Sequence, residues 1–260
     1  MDTFANVITL VIALAIIIAA AWTGAWAARR FAGPSHGARE KTASANAAAA
    51  GFLLGAGLFH FLPEANAHFE LLYPLHAFPI GFVLAAVGFT TILGIERMLF
   101  DPEAHALEDT GRTTAVPVLA IALSLHALFA GFAVGSERVG VALLSLSAAL
   151  AVHKFAAAFT LGSGLIRGRV SGTTFRNVIL AFSLATPIGM ILGSGFQRVL
   201  EDETGLLVEA TFDALAAGTF LYIAALEVIH EEFFHKRAQW LDMVLFVGGL
   251  GVMVLLSLAE

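Results

Sequence analysis

The sequence predicts an all-α polytopic membrane protein: a bundle of about eight transmembrane helices with both termini outside. Apolar content is the first reason. Hydrophobic residues make up 58% of the chain, the 25 glycines raise apolar usage to about two-thirds, and only 13% of residues are charged. Soluble domains carry about half apolar and a quarter charged residues, so a single soluble core could not hide this much apolar surface. The spacing of that content is the second reason. Apolar stretches recur near 5–28, 46–69, 78–100, 114–135, 139–165, 176–198, 206–230 and 239–258. Each is close to the roughly 20 residues that a spanning helix needs. The breaks fall at Gly33-Pro34-Ser35-His36-Gly37, Asp101-Pro102-Glu103, Arg167-Gly168-Arg169, Glu201-Asp202-Glu203 and Phe234-His235-Lys236-Arg237. These are short loops, which leaves residues 1–260 as a single transmembrane domain.

The third reason is where the cations lie, since basic loops stay in the cytoplasm. Alternate loops carry Arg29, Arg30, Arg39 and Lys41; Arg97 and Arg112; Arg167, Arg169 and Arg176; and Lys236 and Arg237, which is 11 of the 14 Lys and Arg residues. Only Arg138 and Arg198 fall on the other side, and Lys154 lies inside a span. Both termini are therefore expected outside. The first span begins after Asp2 with no basic residues, and Val7–Ala28 is too long for a signal h-region. The absence of cysteine excludes disulfides, zinc ribbons, Fe–S clusters and thiol catalysis. The net charge of −6 is spread out, without the basic block that nucleic acid would require.

Gly51-x-x-x-Gly55, Gly131-x-x-x-Gly135 and Gly189-x-x-x-Gly193 predict helix pairs in close contact. Pro63 and Pro187 sit inside spans, where they mark either broken helices at a transport site or ordinary kinks.

Ionisable residues at mid-bilayer cost about 2.5–3.5 kcal/mol even on lenient scales, so they point to function. His60 and Glu64 lie one helical turn apart in the outer half of the second span. An imidazole with a carboxylate at that spacing suits a divalent transition metal, while a hydrogen-bonded pair at a helix end is the plainer reading. His126 lies mid-way along the fourth span, and His153 and Lys154 lie mid-way along the fifth. One buried histidine is usually a satisfied hydrogen-bonder, but two at matched depth beside a lysine point to a site. Glu227, His230 and Glu231 share a face near the cytoplasmic end of the seventh span, where charge is inexpensive. The run from His230 to His235 fails as a zinc-protease HExxH motif. Its histidines are five apart, about 140° around a helix of 3.6 residues per turn. Together these groups define outer, middle and inner polar stations, as a path across the membrane requires. Imidazole with carboxylate suits Zn, Fe, Cu or Ni better than Mg or Ca.

At these residues the chain resembles the ZIP (Zrt/Irt-like) family of divalent metal-ion transporters over nearly its whole length. The segment His60-Phe61-Leu62-Pro63-Glu64-Ala65 is similar to the family's His-Leu-Leu-Pro-Glu-Ala signature. His126, Gly131, Ala133 and Gly135 match its fourth-span motif, and His153-Lys154 resembles the branch with His-Lys in the fifth span. Thr186-Pro187-Ile188-Gly189 is similar to the sixth-span Ser/Thr-Pro-x-Gly, and Ala216-Ala217-Gly218-Thr219-Phe220-Leu221-Tyr222 with Glu227 looks like the same branch. The resemblance implies alternating access, a homodimer in the cell membrane, and no prosthetic group. Its cargo would be Zn²⁺, with Fe²⁺, Cd²⁺ and Mn²⁺ as alternatives. It places a central metal site on His126 and His153, an outer gate on His60 and Glu64, and exit-side ligands on Glu227 and His230. Lys154 then takes the charge position of a second metal, and its partner is expected on another span, at Glu64 or Asp213.

This chain departs from the family where Ala130 replaces the fourth-span Glu, Ala127 the polar residue after its His, and Ala157 the fifth-span acid. Two function classes therefore stay open: zinc uptake into the cytoplasm, and a transport-impaired metal-binding or sensing membrane protein. An intramembrane hydrolase lacks an acid beside the central histidines to act as base, so no enzyme is expected.

Overall fold

Within a bilayer no water is at hand to satisfy backbone groups, so a single chain crosses as helices that bond internally. The computed structural model describes residues 2–31, 36–74, 78–99, 115–136, 141–197, 202–234 and 240–258. They form α1 (Asp2–Phe31), α2 (His36–Ala56), a π-helical segment (Gly57–Phe61), α3 (Leu62–Leu72), α4 (Ile80–Leu99), α5 (Ala115–Ser136), α6 (Val141–Arg167), α7 (Gly172–Gln197), α8 (Asp202–Tyr222), a second π-helical segment (Ile223–Phe234) and α9 (Trp240–Ser257). Because α2 runs through its π segment into α3, and α8 runs into the second, these make eight continuous helices. Among the described residues seven have the length and apolar content to cross a membrane. α6, which carries His153 and Lys154, is 27 residues long. The all-α polytopic membrane fold is as expected.

The boundaries differ most at the second span, which starts at His36 rather than near residue 46. Its first turns carry Arg39, Glu40 and Lys41, and a helix satisfies its backbone in water as well as in lipid. α7 starts at Gly172 rather than 176, because Ser171 caps it: the Thr174 N–H donates to Ser171 Oγ at 3.1 Å. α6 stops at a turn in which Arg169 takes a positive φ of 54° and the Val170 N–H donates back to Leu165 O.

Glycine seams set the helix pairing. A Cβ on Gly131 would overlap Thr186 O, and one on Gly189 would overlap Leu128 O, which locks α5 against α7. A Cβ on Gly51 would meet Phe246 O and one on Gly55 the Met253 side chain, so α2 lies against α9. All three predicted close-approach motifs therefore lie at helix contacts. The outward faces remain apolar: Val11 and Ile16 on α1, Ile188 and Ile191 on α7, and Val244 and Val247 on α9 are exposed. His126, His153, Lys154, Thr186 and Thr219 are buried. Apolar surface outside and polar groups within suit a lipid surround.

Pro63 explains the first π segment. Proline has no N–H for the carbonyl four residues back, and its ring crowds that carbonyl, here Phe59 O. The chain widens instead, with the Leu62 N–H reaching Gly57 O, and Ser257 Oγ of α9 donates to Phe59 O at 2.5 Å. The helix continues across Pro63 with a bulge that aims His60, and such bulges are frequent at functional sites. The second π segment overlies Glu227 and His230, so the face-sharing derived from 3.6 residues per turn does not apply there.

The guanidinium of Arg29 lies 4.2 Å from the Phe175 ring centroid, which brings the end of α1 and the start of α7 to one face of the bundle. With the cation distribution, that face should be cytoplasmic. As the chain has no cysteine, Ser171→Cys should resist an impermeant thiol reagent added outside, and Thr204→Cys should react. Labelling at position 171 from outside would reverse the orientation.

Candidate metal centre

The central histidines converge. His126 of α5 and His153 of α6 are 3% and 2% exposed, and both line a cavity of about 10 Å³ with Ala127, Lys154, Ala157 and Phe220. That is room for about one water-sized particle. Phe220 of α8 lies stacked 3.4 Å from the His126 ring centroid, and Phe61 sits 5.8 Å from each histidine. The aromatic walls hold both imidazoles in place and keep bulk water out. Methyl groups of Ala127 and Ala157 stand at two positions where the family resemblance leads one to expect polar groups.

Hydrogen bonding fixes the His126 tautomer. Its Nδ1 lies 3.2 Å from Ala216 O and 3.0 Å from Thr219 Oγ1. The Thr219 hydroxyl donates its own hydrogen to Ala216 O at 2.8 Å, so both oxygens act as acceptors toward the ring. Nδ1 must then carry a proton, so in the neutral imidazole Nε2 is the unprotonated nitrogen. A metal-binding histidine is commonly oriented in this way, by a hydrogen bond from its other nitrogen. Thr219 was quoted in the sequence motif without a role; only the helix contact reveals one.

His60 lies close to the central pair. Its ring centroid lies 5.8 Å from that of His153, and its Nδ1 lies 3.8 Å from Glu64 Oε2. The expected His60–Glu64 pair is thus brought together, with His60 against the central histidine and Glu64 on the wetter side, 31% exposed against 11%. Glu227 and His230 lie on the π-helical segment, but their side chains fall outside the described residues, as does His235.

The expected partner of Lys154 was an acid, Glu64 or Asp213. The structure corrects this. Lys154 is 3% exposed, and its ammonium donates to Phe182 O at 2.7 Å and to Thr186 Oγ1 at 2.8 Å. It also sits 3.6 Å from the Phe182 ring centroid. Pro187 removes an N–H from that stretch of α7 and loosens the turn preceding it. Among the described residues a backbone carbonyl, a hydroxyl and a ring face therefore hold the Lys154 amino group. Asp213 lies instead with His68 and Glu209, in a group that the motifs left unmarked. The signal was available: His60, Glu64 and His68 recur every four residues, as do Glu209 and Asp213.

The family model described as "ZIP Zinc transporter" matches residues 101–257. The chain is similar to zinc transporter ZIP1 of Danio rerio, 27% identical over 80% of this chain and 82% of that protein. It is also similar to ZIP1 of Takifugu rubripes, at 25% over 76% and 77%. Zinc transporter ZIP3 of Homo sapiens is 31% identical over 59% of this chain and 50% of its own length. A match over more than half the chain, on a multi-pass helical bundle of the cell membrane, places this chain in the ZIP zinc transporter family.

Proposed function

We propose that this protein carries a divalent transition-metal ion, zinc foremost, across the membrane into the cytoplasm, with His126 and His153 as the central ligands. The observation that carries the reading is the committed tautomer of His126. Its Nε2 lone pair belongs to a neutral ring that shares one small cavity with His153. Two imidazoles suit Zn²⁺, with Fe²⁺, Cd²⁺ and Mn²⁺ as competitors. The cavity holds a bare ion and not a hydrated one, so the cargo must shed water on the way in. His60 and Glu64 supply an approach on which it can do so, and Glu227 and His230 lie on the exit side. Access alternates as helices move against one another, and the working unit is a homodimer of one transmembrane domain over 1–260. The role is transport and not catalysis, with no prosthetic group.

The purified chain in proteoliposomes should show saturable zinc uptake, compared side by side with cadmium, iron and manganese. Zinc binding to the central pair without flux would move the reading to the alternative, a ZIP-like binding or sensing protein. Neither binding nor flux would end both.

A further inference from the structure

Away from the central cavity, one set of metal-binding side chains is already assembled. His68 of α3 and Glu209 and Asp213 of α8 each offer a ligand atom, and the three atoms all lie within 4.8 Å of one another. Among the described residues no other group of three His, Asp or Glu side chains is that compact. Its backing is an alanine seam. Ala65, Ala210 and Ala214 are fully buried between the two helices together with Phe69. Their small size lets α3 and α8 approach until His68 meets the carboxylates. Glu209 and Asp213 stand one turn apart on α8, so both present to the same edge of α3.

Two further observations point to a cation. Asp213 is 3% exposed, and its carboxylate shares this close space with that of Glu209. Like charges that near each other repel, and the repulsion grows as water is excluded. A divalent ion would balance both charges. In addition, Nδ1 of His68 is buried with no hydrogen-bond partner among the described residues. An imidazole beside two carboxylates is a ligand set for a transition metal, since an all-oxygen shell would suit Mg²⁺ or Ca²⁺. Zinc holds such ligands at about 2.0–2.2 Å, which puts them about 3.3–3.6 Å apart in a tetrahedron, with water in the fourth position. Small side-chain rotations of His68 and Glu209, both partly exposed, close the gap.

We infer that His68, Glu209 and Asp213 form a second divalent-metal site, at the outer end of the bundle and distinct from the central pair. His68 stands one turn beyond Glu64 on α3, and Glu64 lies 3.8 Å from His60. An ion released there meets Glu64 next and then His60 beside His153. Its place ahead of the central histidines rests on the transport reading; its capacity to bind a metal does not.

The test counts ions on the purified full chain, with zinc chloride as titrant and cobalt(II) as a spectroscopic probe. The unaltered chain should bind two ions. Asp213→Asn and His68→Gln should each remove the outer one and keep the ion that His126→Ala removes. Glu209→Gln, on the partly exposed side, should weaken the outer ion about tenfold or more even if Asp213→Asn fails to fold. Two ions bound with unchanged affinity in folded His68→Gln and Glu209→Gln would overturn the site, as would a single ion in the unaltered chain. An outer ion that these variants remove, in a chain without zinc flux, would uphold the site while the transport reading fails.

Discussion

Replacing His126 with alanine should abolish saturable zinc uptake while the folded protein stays in the membrane, and His153→Ala should do the same. Each removes one of two imidazoles from a cavity of about 10 Å³ whose remaining wall is largely apolar. No carboxylate stands at Ala127 or Ala157 to take over. A ligand's supporting partner usually contributes 10- to 100-fold in metal affinity, so losing the ligand itself should cost about 100-fold or more. Thr219→Val supplies the graded comparison. It removes one acceptor from the His126 Nδ1 proton and leaves Ala216 O, so zinc affinity should fall by about tenfold without loss of the site. His60→Ala and Glu64→Ala should raise the zinc concentration for half-maximal uptake and keep the maximal rate. Normal uptake by both His126→Ala and His153→Ala, measured by radioactive zinc in proteoliposomes, would reduce the two histidines to packing residues.

Lys154→Glu should admit a second metal ion to the central cavity and change its occupancy there from one to two. An ammonium has no lone pair to offer, and at about 4–6 Å from a divalent ion it opposes binding by roughly 5–8 kcal/mol at an effective dielectric near 20. The contacts of Lys154 sharpen this expectation. Phe182 O and Thr186 Oγ1 are neutral oxygens, so among the described residues the hydrogen-bond partners of Lys154 carry no charge to offset its own. A glutamate in its place brings a carboxylate to two oxygens already suited to a cation. Lys154→Gln keeps a polar tip, removes the charge, and should leave a single ion, which separates charge from shape. Anomalous scattering at the zinc edge counts the ions in place. A single central ion in a folded Lys154→Glu protein would refute the charge-substitution account.

The helical spans were legible in the sequence because lipid imposes them locally: about 20 apolar residues cross, and cations stop at the cytoplasmic face. His126, His153 and the pairing of His60 with Glu64 were legible for a similar reason. A polar group inside an apolar span stands out, and a four-residue step keeps two side chains on one face. The glycine motifs likewise announced close approach, though not which helix would approach.

Tertiary structure decided what depends on the rotation of one helix against another. It set Thr219 and Ala216 on the His126 proton, and brought the His60 ring to 5.8 Å from that of His153. It gave Lys154 the carbonyl of Phe182 where an acid was expected. It also joined His68 to Glu209 and Asp213, far apart in sequence, through an alanine seam that any membrane helix could carry. Spacing along one helix follows from its fixed rise and turn. Which faces meet depends on glycine and alanine contacts summed over several helices, and on a bulge before Pro63 that shifts the angular register of everything after it.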